Sequence, residues 1–171
     1  MHNNNTNNIC YKYILGWGSF KIVTSSGNVV ALKYEPVDDN QQLFGFMEEE
    51  LANPATTSDT PCQIADQLEE YFYRERCFFY FRSGTRIAEP LSLILKYSLT
   101  IPYGYRITSR QLAYDINRPD LEKNIQKLIT SNPLPLLYPC HRIVENEHSI
   151  GLHAWGRKMK RRLLDFEFTN R

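Results

Sequence analysis

The stretch TSRQLAYDINRPDLEKNIQKLI, residues 108–129, decides how the second half of the chain folds. It begins with a capping-box pattern, in which the Thr108 hydroxyl and the Gln111 amide can bond free backbone N–H groups at a helix start. Apolar side chains then recur at helical spacing on both sides of residues 117–119, where a proline stops the first helix. The stretch therefore predicts two short helices joined by a tight turn.

Two helices in this order match a helix-turn-helix, although the same pattern also fits an ordinary helical hairpin in a bundle. The apolar stripe of the second helix consists of Leu121, Ile125, Leu128 and Ile129. The polar side of the pair carries Arg110, Arg118, Lys123 and Lys127. Because these cations can neutralise phosphates, the pattern favours contact with DNA.

Charge divides the chain unevenly. Its 171 residues are 42% hydrophobic and 23% charged, with a net charge of only +1, as expected of a globular chain, and no apolar run reaches the length of a membrane span. Residues 1–85 hold 6 Lys or Arg against 11 Asp or Glu, a net charge of −5, whereas residues 86–171 hold 14 against 8, a net charge of +6. A basic half is typical of a protein that binds a polyanion. The charge distribution therefore favours a nucleic-acid-binding surface over a charged surface that faces only solvent.

The first half predicts a small α/β domain. Apolar runs on both sides of a polar turn at residues 25–28 are typical of a β-hairpin. Residues 38–61 have the composition of a loop, residues 64–72 have helical spacing, and the aromatic run at residues 77–81 predicts a buried strand. The fold class is thus α/β (α+β), with a mainly helical second domain. The expected tail, N-terminal domain and C-terminal domain are residues 1–8, 9–85 and 86–171.

The hexapeptide PCHRIV, residues 139–144, carries the most informative chemistry. It places the Cys140 thiol next to the His141 imidazole, and a nearby base or cation raises the population of a nucleophilic thiolate. The four cysteines of the chain form no CxxC pair, which argues against a disulfide scaffold and favours a reducing compartment.

The last predicted helix spans residues 157–168. Its inward side is expected to carry Met159, Leu163 and Leu164. Its outward side is expected to carry Lys158, Lys160, Arg161 and Arg162.

Several motifs together resemble the O6-alkylguanine-DNA alkyltransferase family, also called methylated-DNA–protein-cysteine methyltransferases. The Pro-Cys-His-Arg core preceded by Asn132-Pro133 is the most specific of them. The others are Ile101–Gly104, Gln111–Ala113, Gly151 and the pattern Lys160-x-x-Leu163-Leu164-x-x-Glu167. The likeness runs from Ile101 to Glu167. For residues 1–86 it implies only a general build, an α/β domain of ribonuclease-like topology.

The resemblance implies a DNA repair protein that acts once per molecule. A winged or helix-turn-helix motif would enter the minor groove of double-stranded DNA containing O6-alkylguanine, and the damaged base would be flipped out. Cys140 would attack the alkyl carbon and keep the alkyl group as a thioether. By resemblance, His141 acts as base through a water, Glu167 orients His141, and Asn132 braces the turn before the active-site loop.

The resemblance also implies the remaining features of the site. Tyr138, Ile143 and the backbone near Ala154 would line the base pocket. The expected DNA- and substrate-binding set is completed by Ser109, Arg110, Lys123, Lys127 and Arg142. No cofactor is expected, because the acceptor and the protein are the same molecule. We also expect a monomer that makes no membrane contact and resides in the cytoplasm, or in the nucleus of a eukaryote.

The chain departs from the family pattern on its DNA side. Lys123 takes the place of an arginine that fills the gap left by the flipped base, and lysine lacks the planar fork of arginine. Ser109 takes the place of a tyrosine that assists flipping. Gln126 and Lys127 are bulkier than the family's small residues, and Trp155 enlarges a glycine-rich loop. These departures keep open a lesion-binding protein without efficient transfer, although Cys140 argues against it.

Two other chemistries fit less well. The neighbouring Cys140, His141, His148 and His153 suggest a metal site, but their spacing is not a standard zinc pattern. A Cys-His hydrolase or acyl transferase would need an oxyanion hole, for which the sequence offers no candidate.

Overall fold

The computed structural model describes residues 8–36, 47–50 and 60–169. An antiparallel sheet with one long helix forms the first of two units, and the second unit is mainly helical. The boundary between the units lies after Arg86. The predicted mixed α/β class is thereby confirmed. No helix in the described part of the chain combines the length and apolar character that a bilayer crossing requires.

The sheet of the first unit has four antiparallel strands in the order β3-β2-β1-β4. The strands are β1 (Asn8–Leu15), β2 (Gly18–Ser25), β3 (Asn28–Glu35) and β4 (Met47–Glu50). The predicted hairpin is β2–β3. Its turn residues Ser26 and Gly27 have φ values of 51° and 75°, and two positive φ angles in a two-residue loop match the right-handed twist of the strands.

Helix α1 (Thr60–Phe72) closes one face of this sheet. Among the residues buried in this part of the core are Tyr13, Phe20, Ile22, Leu32, Ile64, Leu68 and Tyr71. Phe72 reaches β2, with its ring centroid 5.4 Å from that of Phe20. The apolar spacing seen in the sequence is therefore the face that α1 buries.

Two predictions for the first unit need correction. Within the expected loop 38–61, residues 47–50 form β4 and α1 begins at Thr60, while residues 37–46 and 51–59 lie outside the described part. Residues 77–81 form no buried strand, since Phe78 is 58% and Tyr80 71% exposed. Instead the Gln67 side chain forms hydrogen bonds with the backbone of this segment. Its amide donates to the Tyr80 carbonyl at 2.9 Å and accepts from the Tyr80 N–H at 2.6 Å.

The expected tail, residues 1–8, lies outside the described residues apart from Asn8, where β1 begins.

In the described residues of the second unit, helices pack around two buried apolar clusters, of which the larger contains Cys140. The elements of this unit are α2 (Leu91–Ser98), β5 (Ile107–Thr108), α3 (Ser109–Asp115), α4 (Ile125–Ile129), β6 (Ile143–Val144) and α5 (Gly156–Phe168). Strands β5 and β6 pair in parallel, which brings the start of α3 beside the segment that follows Cys140. The larger cluster contains Ile94, Leu95, Leu112, Ile125, Ile129, Cys140 and Ile143.

The predicted helix pair is present as α3 and α4, with a shorter second helix than expected. The Thr108 hydroxyl accepts the Gln111 N–H at 3.1 Å, but the Gln111 amide bonds Asp115 at 2.7 Å, so only half of the capping box forms. Asn117, at a φ of 55°, turns the chain. Leu121 then ends a 3-10 turn, and α4 begins four residues later.

Candidate active site

Cys140 opens a 3-10 turn, Cys140–Arg142, and is fully buried. The Asn132 amide donates to its sulfur at 3.1 Å and to the Tyr138 carbonyl at 3.1 Å, and it also accepts the Leu134 N–H at 2.9 Å. Asn132 therefore holds both ends of the loop that presents the thiol. Burial raises the pKa of Cys140 to about 11, against the lowering influence of the Asn132 hydrogen bond and of the Lys160 charge. The thiol is protonated at neutral pH and needs a base.

His141 offers such a base. Its Nε2 lies 2.8 Å from a Glu167 carboxylate oxygen, and both side chains are buried. Because Glu167 accepts, the proton of the neutral ring sits on Nε2 and leaves Nδ1 with a free lone pair. Nδ1 is buried and has no hydrogen-bond partner among the described residues. Burial lowers the pKa of His141, with the negative charge of Glu167 opposing the shift, so the ring is neutral near pH 7.

Glu167 is the centre of a buried ionic network. Arg142 donates to both carboxylate oxygens at 2.9 Å, and the Gly104 N–H donates to one of them at 3.1 Å. Burial alone would raise the pKa of Glu167, but attraction to His141 when its ring is protonated, the Arg142 charge and the hydrogen bonds from both side chains hold it far below its ordinary value. Glu167 is therefore ionised throughout the neutral range, and its geometry fixes the His141 ring.

Arg142, expected to bind DNA or substrate, instead lies in this interior network. Besides Glu167 it bonds the Ile101 carbonyl at 2.7 Å, and its side chain is almost completely buried. A buried guanidinium needs a buried carboxylate partner. The sequence indicated a buried carboxylate partner for Arg142, because Glu167 lies on the same helical face as Leu163 and Leu164.

Lys160 was expected to point outward and is instead completely buried. Its ammonium donates to the carbonyls of Ile143 and Leu152 at 2.6 and 2.8 Å and to the Gln126 amide oxygen at 3.2 Å. Burial lowers the pKa of Lys160 to about 8, although Cys140 opposes the shift. The sequence spacing indicated that Lys160 is buried, because position 160 precedes Leu163 by three residues and lies on the same helical face.

Gln126 joins four segments of the second unit. Its NH₂ group donates to the Ser109 hydroxyl at 2.8 Å and to the Ile143 carbonyl at 3.3 Å, while its oxygen accepts the Leu152 N–H at 2.9 Å and the Lys160 ammonium. Ser109, expected to contact DNA, is instead only 3% exposed, and its hydroxyl donates to the Val144 carbonyl at 3.2 Å. Two of the positions that depart from the family pattern, Ser109 and Gln126, thus bond each other.

The other expected DNA-contacting residues lie on the surface. Arg110 on α3, Lys123 in the turn and Lys127 on α4 are exposed. A groove of about 540 Å³ beside the helix pair is lined by cations and anions together. Its charged lining residues are Arg110, Glu122, Lys123, Glu145 and Glu147. The helix pair therefore presents cations beside acidic side chains.

Two of the expected base-pocket residues, Tyr138 and Ile143, lie in or against the buried cluster that contains Cys140. Ile143 is fully buried, while Tyr138 and Ala154 are half-buried. Tyr138 packs against the same apolar cluster that holds Cys140. His148 is exposed, and none of the described residues form a group of three that could hold a metal ion.

Gly151 gives a direct test of the Gln126 contacts. Gly151 has a φ of 73°, and a Cβ at this position would overlap the Gln126 amide. We expect Gly151→Ala to lower the free energy of unfolding by more than the roughly 1–2 kcal/mol that a left-handed backbone costs a non-glycine residue. Urea unfolding of the two single variants and of Gly151→Ala with Gln126→Ala measures the coupling. Gly151→Ala should lower the free energy of unfolding by less in the Gln126→Ala background than in the wild-type background. Equal decreases in the two backgrounds would contradict the overlap.

Comparison with known protein families places this site in context. Residues 92–169 match the family model described as 6-O-methylguanine DNA methyltransferase, DNA binding domain. This stretch contains Cys140, His141 and Glu167, and the resemblance found from the sequence motifs is thereby confirmed.

Curated relatives carry a consistent name. A methylated-DNA–protein-cysteine methyltransferase of Pyrobaculum aerophilum is 36% identical over 73 residues, which are 43% of this chain and 48% of that protein. One of Saccharomyces cerevisiae is 33% identical over 72 residues, 42% of this chain and 38% of that protein. The chain thus spans less than half the length of these two relatives. One of Mycobacterium tuberculosis is 29% identical over 126 residues, 71% of this chain and 76% of that protein.

Solved structures show the same fold. The crystal structure of Mycobacterium tuberculosis O6-methylguanine methyltransferase superposes with a TM-score of 0.74 at 21% identity, covering 95% of this chain and 94% of the other. A crystal structure of the Mycobacterium tuberculosis protein in complex with DNA gives a TM-score of 0.72 at 23% identity, covering 93% of each chain.

Proposed function

We propose that this chain, whose residues 92–169 match the methyltransferase family model, is a DNA repair protein that moves the alkyl group of O6-alkylguanine onto its own Cys140. The observation that carries the proposal is that Cys140 and His141 adjoin in one buried turn, where Asn132 bonds the sulfur and Glu167 bonds the His141 ring. A nucleophile, a neutral base and a carboxylate that orients the base are the parts a thiol displacement needs.

The reaction follows from the protonation states. The Cys140 proton passes to Nδ1 of His141, directly or through the water that the family resemblance implies. The sulfur then forms a bond to the alkyl carbon, while the bond from that carbon to O6 breaks and its electron pair stays on the guanine. Glu167, which remains ionised, stabilises the imidazolium. The product is a thioether, which is not readily reversed, so each molecule acts once.

DNA is the proposed partner, bound through the α3–α4 pair. Arg110, Lys123 and Lys127 supply exposed cations for phosphate contacts, in agreement with the basic net charge of the second half. Because the Cys140 thiol is buried, an alkylated guanine stacked within a duplex cannot reach it. We therefore include base flipping in the proposal. A relative of the same fold in complex with DNA supports this part.

The finer organisation is proposed on the same basis. We assign the first unit as a ribonuclease-like α/β domain and the second as the alkyltransferase domain with its helix-turn-helix. We further propose a monomer that acts where DNA is found, in the cytoplasm or in a eukaryotic nucleus.

Mass spectrometry tests the function most directly. The protein is incubated with a duplex oligonucleotide that contains O6-methylguanine, and an identical duplex with guanine is the control. We expect one methyl increment per protein, located on the peptide that contains Cys140. An unmodified protein that still retards the damaged duplex in a gel would be a lesion-binding protein and would refute transfer.

Lys123 provides a test of the DNA-binding orientation. We expect Lys123→Arg to speed transfer from duplex DNA, because a planar guanidinium stacks in a base gap better than an ammonium does. Single-turnover rates on duplex and single-stranded substrates measure the effect, which should be confined to the duplex. Lys158→Arg, an exposed change on α5, is the matched control. Equal gains on both substrates would mean that Lys123 does not fill the gap.

A further inference from the structure

The imidazole of His153 lies beside the proposed base and has no part in the reaction described so far. Its side chain is only 5% exposed. Its ring centroid is 6.4 Å from that of His141, with the two rings nearly perpendicular at 81°. The ring centroid of Trp155 lies 5.9 Å from that of His153. His153 is therefore buried beside the proposed base.

The hydrogen bonds of His153 fix its tautomer. The Trp155 backbone N–H donates to Nδ1 at 3.2 Å, so the proton of the neutral ring is on Nε2. Burial lowers the pKa of His153 well below its ordinary value and keeps the ring neutral, and repulsion from the Lys160 charge, and from His141 whenever that ring is protonated, acts in the same direction. Nε2–H is thus a buried donor, and it has no hydrogen-bond partner among the described residues.

A buried donor without a hydrogen-bond partner is unfavourable, so its presence calls for an explanation. The other buried donors near Cys140 are occupied. Asn132 bonds the sulfur, the Ser109 hydroxyl bonds the Val144 carbonyl, and Lys160 bonds three protein acceptors. Among the described residues of this unit, Nδ1 of His141 and Nε2 of His153 are the two buried side-chain atoms without a partner. One is an acceptor and the other is a donor.

We propose that Nε2–H of His153 donates a hydrogen bond to the guanine as it leaves, which makes His153 a catalytic residue of the transfer. This inference rests on the proposed function. When the carbon–O6 bond breaks, its electron pair leaves a guanine anion whose charge is shared between O6 and the ring. His153 stabilises that charge without giving up its proton, while His141 holds the proton taken from Cys140. A donor placed where charge develops acts mainly on the transition state.

The test compares two replacements of His153 in single-turnover transfer. His153→Phe keeps an aromatic ring but has no donor, and we expect its transfer rate at saturating DNA to fall by about 10²-fold with an unchanged half-saturation concentration. His153→Gln fits the space less well but keeps an N–H donor, and we expect it to retain more activity than His153→Phe. A purely structural role for His153 predicts the reverse order.

Leaving-group chemistry gives a readout that packing would not move. Free O6-benzylguanines with electron-withdrawing substituents on the purine release a less basic guanine anion, which needs less stabilisation. The rate deficit of His153→Phe should therefore shrink across this series. The proposal would be overturned by a rate deficit that stays constant across the series. It would also be overturned if the transfer rate of His153→Phe lay within about threefold of the wild-type rate, or if His153→Gln transferred no faster than His153→Phe. A wild-type protein that transfers nothing would overturn the proposed function itself, so the two failures are distinguishable.

A Cys140→Ala variant labelled with nitrogen-15 at its histidines gives a measurement that does not require His153→Phe to fold. Nitrogen-15 NMR should show the Nε2–H tautomer of His153. The Nε2 proton signal should move downfield when the product base guanine is added at saturating concentration. A signal that guanine leaves unmoved, or a proton found on Nδ1, would overturn the proposal.

Discussion

Cys140→Ala is expected to abolish alkyl transfer and to leave DNA binding intact. The thiol is the proposed acceptor of the alkyl group, and alanine offers no atom that can form the new bond. The rate should fall by at least about 10⁴-fold, to the limit of detection. Binding should persist, because the exposed cations of the α3–α4 pair lie on other elements. Mass spectrometry and gel retardation with the same damaged duplex measure the two properties separately.

Cys77→Ala is the matched control for this variant. Cys77 is exposed, whereas Cys140 is buried. A reagent that simply alkylates accessible thiols would modify Cys77 first. We expect Cys77→Ala to accept one methyl group from DNA as the wild-type protein does. Removal of the lesion by the Cys140→Ala variant would show that the mechanism is wrong.

Glu167→Gln should have the second-largest effect, on stability and on rate together. The variant keeps the shape of the side chain but leaves the Arg142 guanidinium buried without a counter-charge. Breaking a buried ion pair in this way costs about 3–5 kcal/mol. Urea unfolding at pH 7 should show a loss of that size. The transfer rate should also fall, because His141 loses the carboxylate that orients its ring.

The same network predicts how stability depends on pH. The pKa of Glu167 is lower in the folded protein than in the unfolded chain, so its contribution is fully present above the unfolded value. That contribution is lost as the pH falls below the unfolded value and towards the folded one. The wild-type protein should therefore lose stability in acid more steeply than Glu167→Gln does. Asp165→Asn, an exposed change on the same helix, should leave the acid profile unaltered, and equal profiles for all three proteins would contradict the network.

Much of the second unit could be predicted from local patterns. The break at residues 117–119 and the apolar spacing around it indicated two helices, and the structure has both. The short motif around Cys140 predicted a thiol beside an imidazole, and the structure buries both side chains in one turn. These features depend on residues close in sequence or on a single helical face, which is what spacing can report.

Long-range pairing explains what the sequence did not reveal. Lys160 is buried because oxygens from three distant segments converge on its ammonium, and composition alone places a lysine on the surface. The aromatic run at residues 77–81 resembles a strand, but Gln67 rather than a neighbouring strand takes up the Tyr80 backbone groups. Ser109 is similar, because its environment depends on Gln126, which is 17 positions away in sequence.

The contacts of Gln126 also restrict how this protein can diverge. A larger residue cannot enter at Gly151 while the Gln126 side chain fills the adjoining space. Nor can a glycine replace Gln126 without removing a partner of Ser109 and of Lys160. Neutral drift at these positions is therefore expected to proceed by paired substitutions, and descendants with an altered residue 126 should carry a compensating change at residue 109.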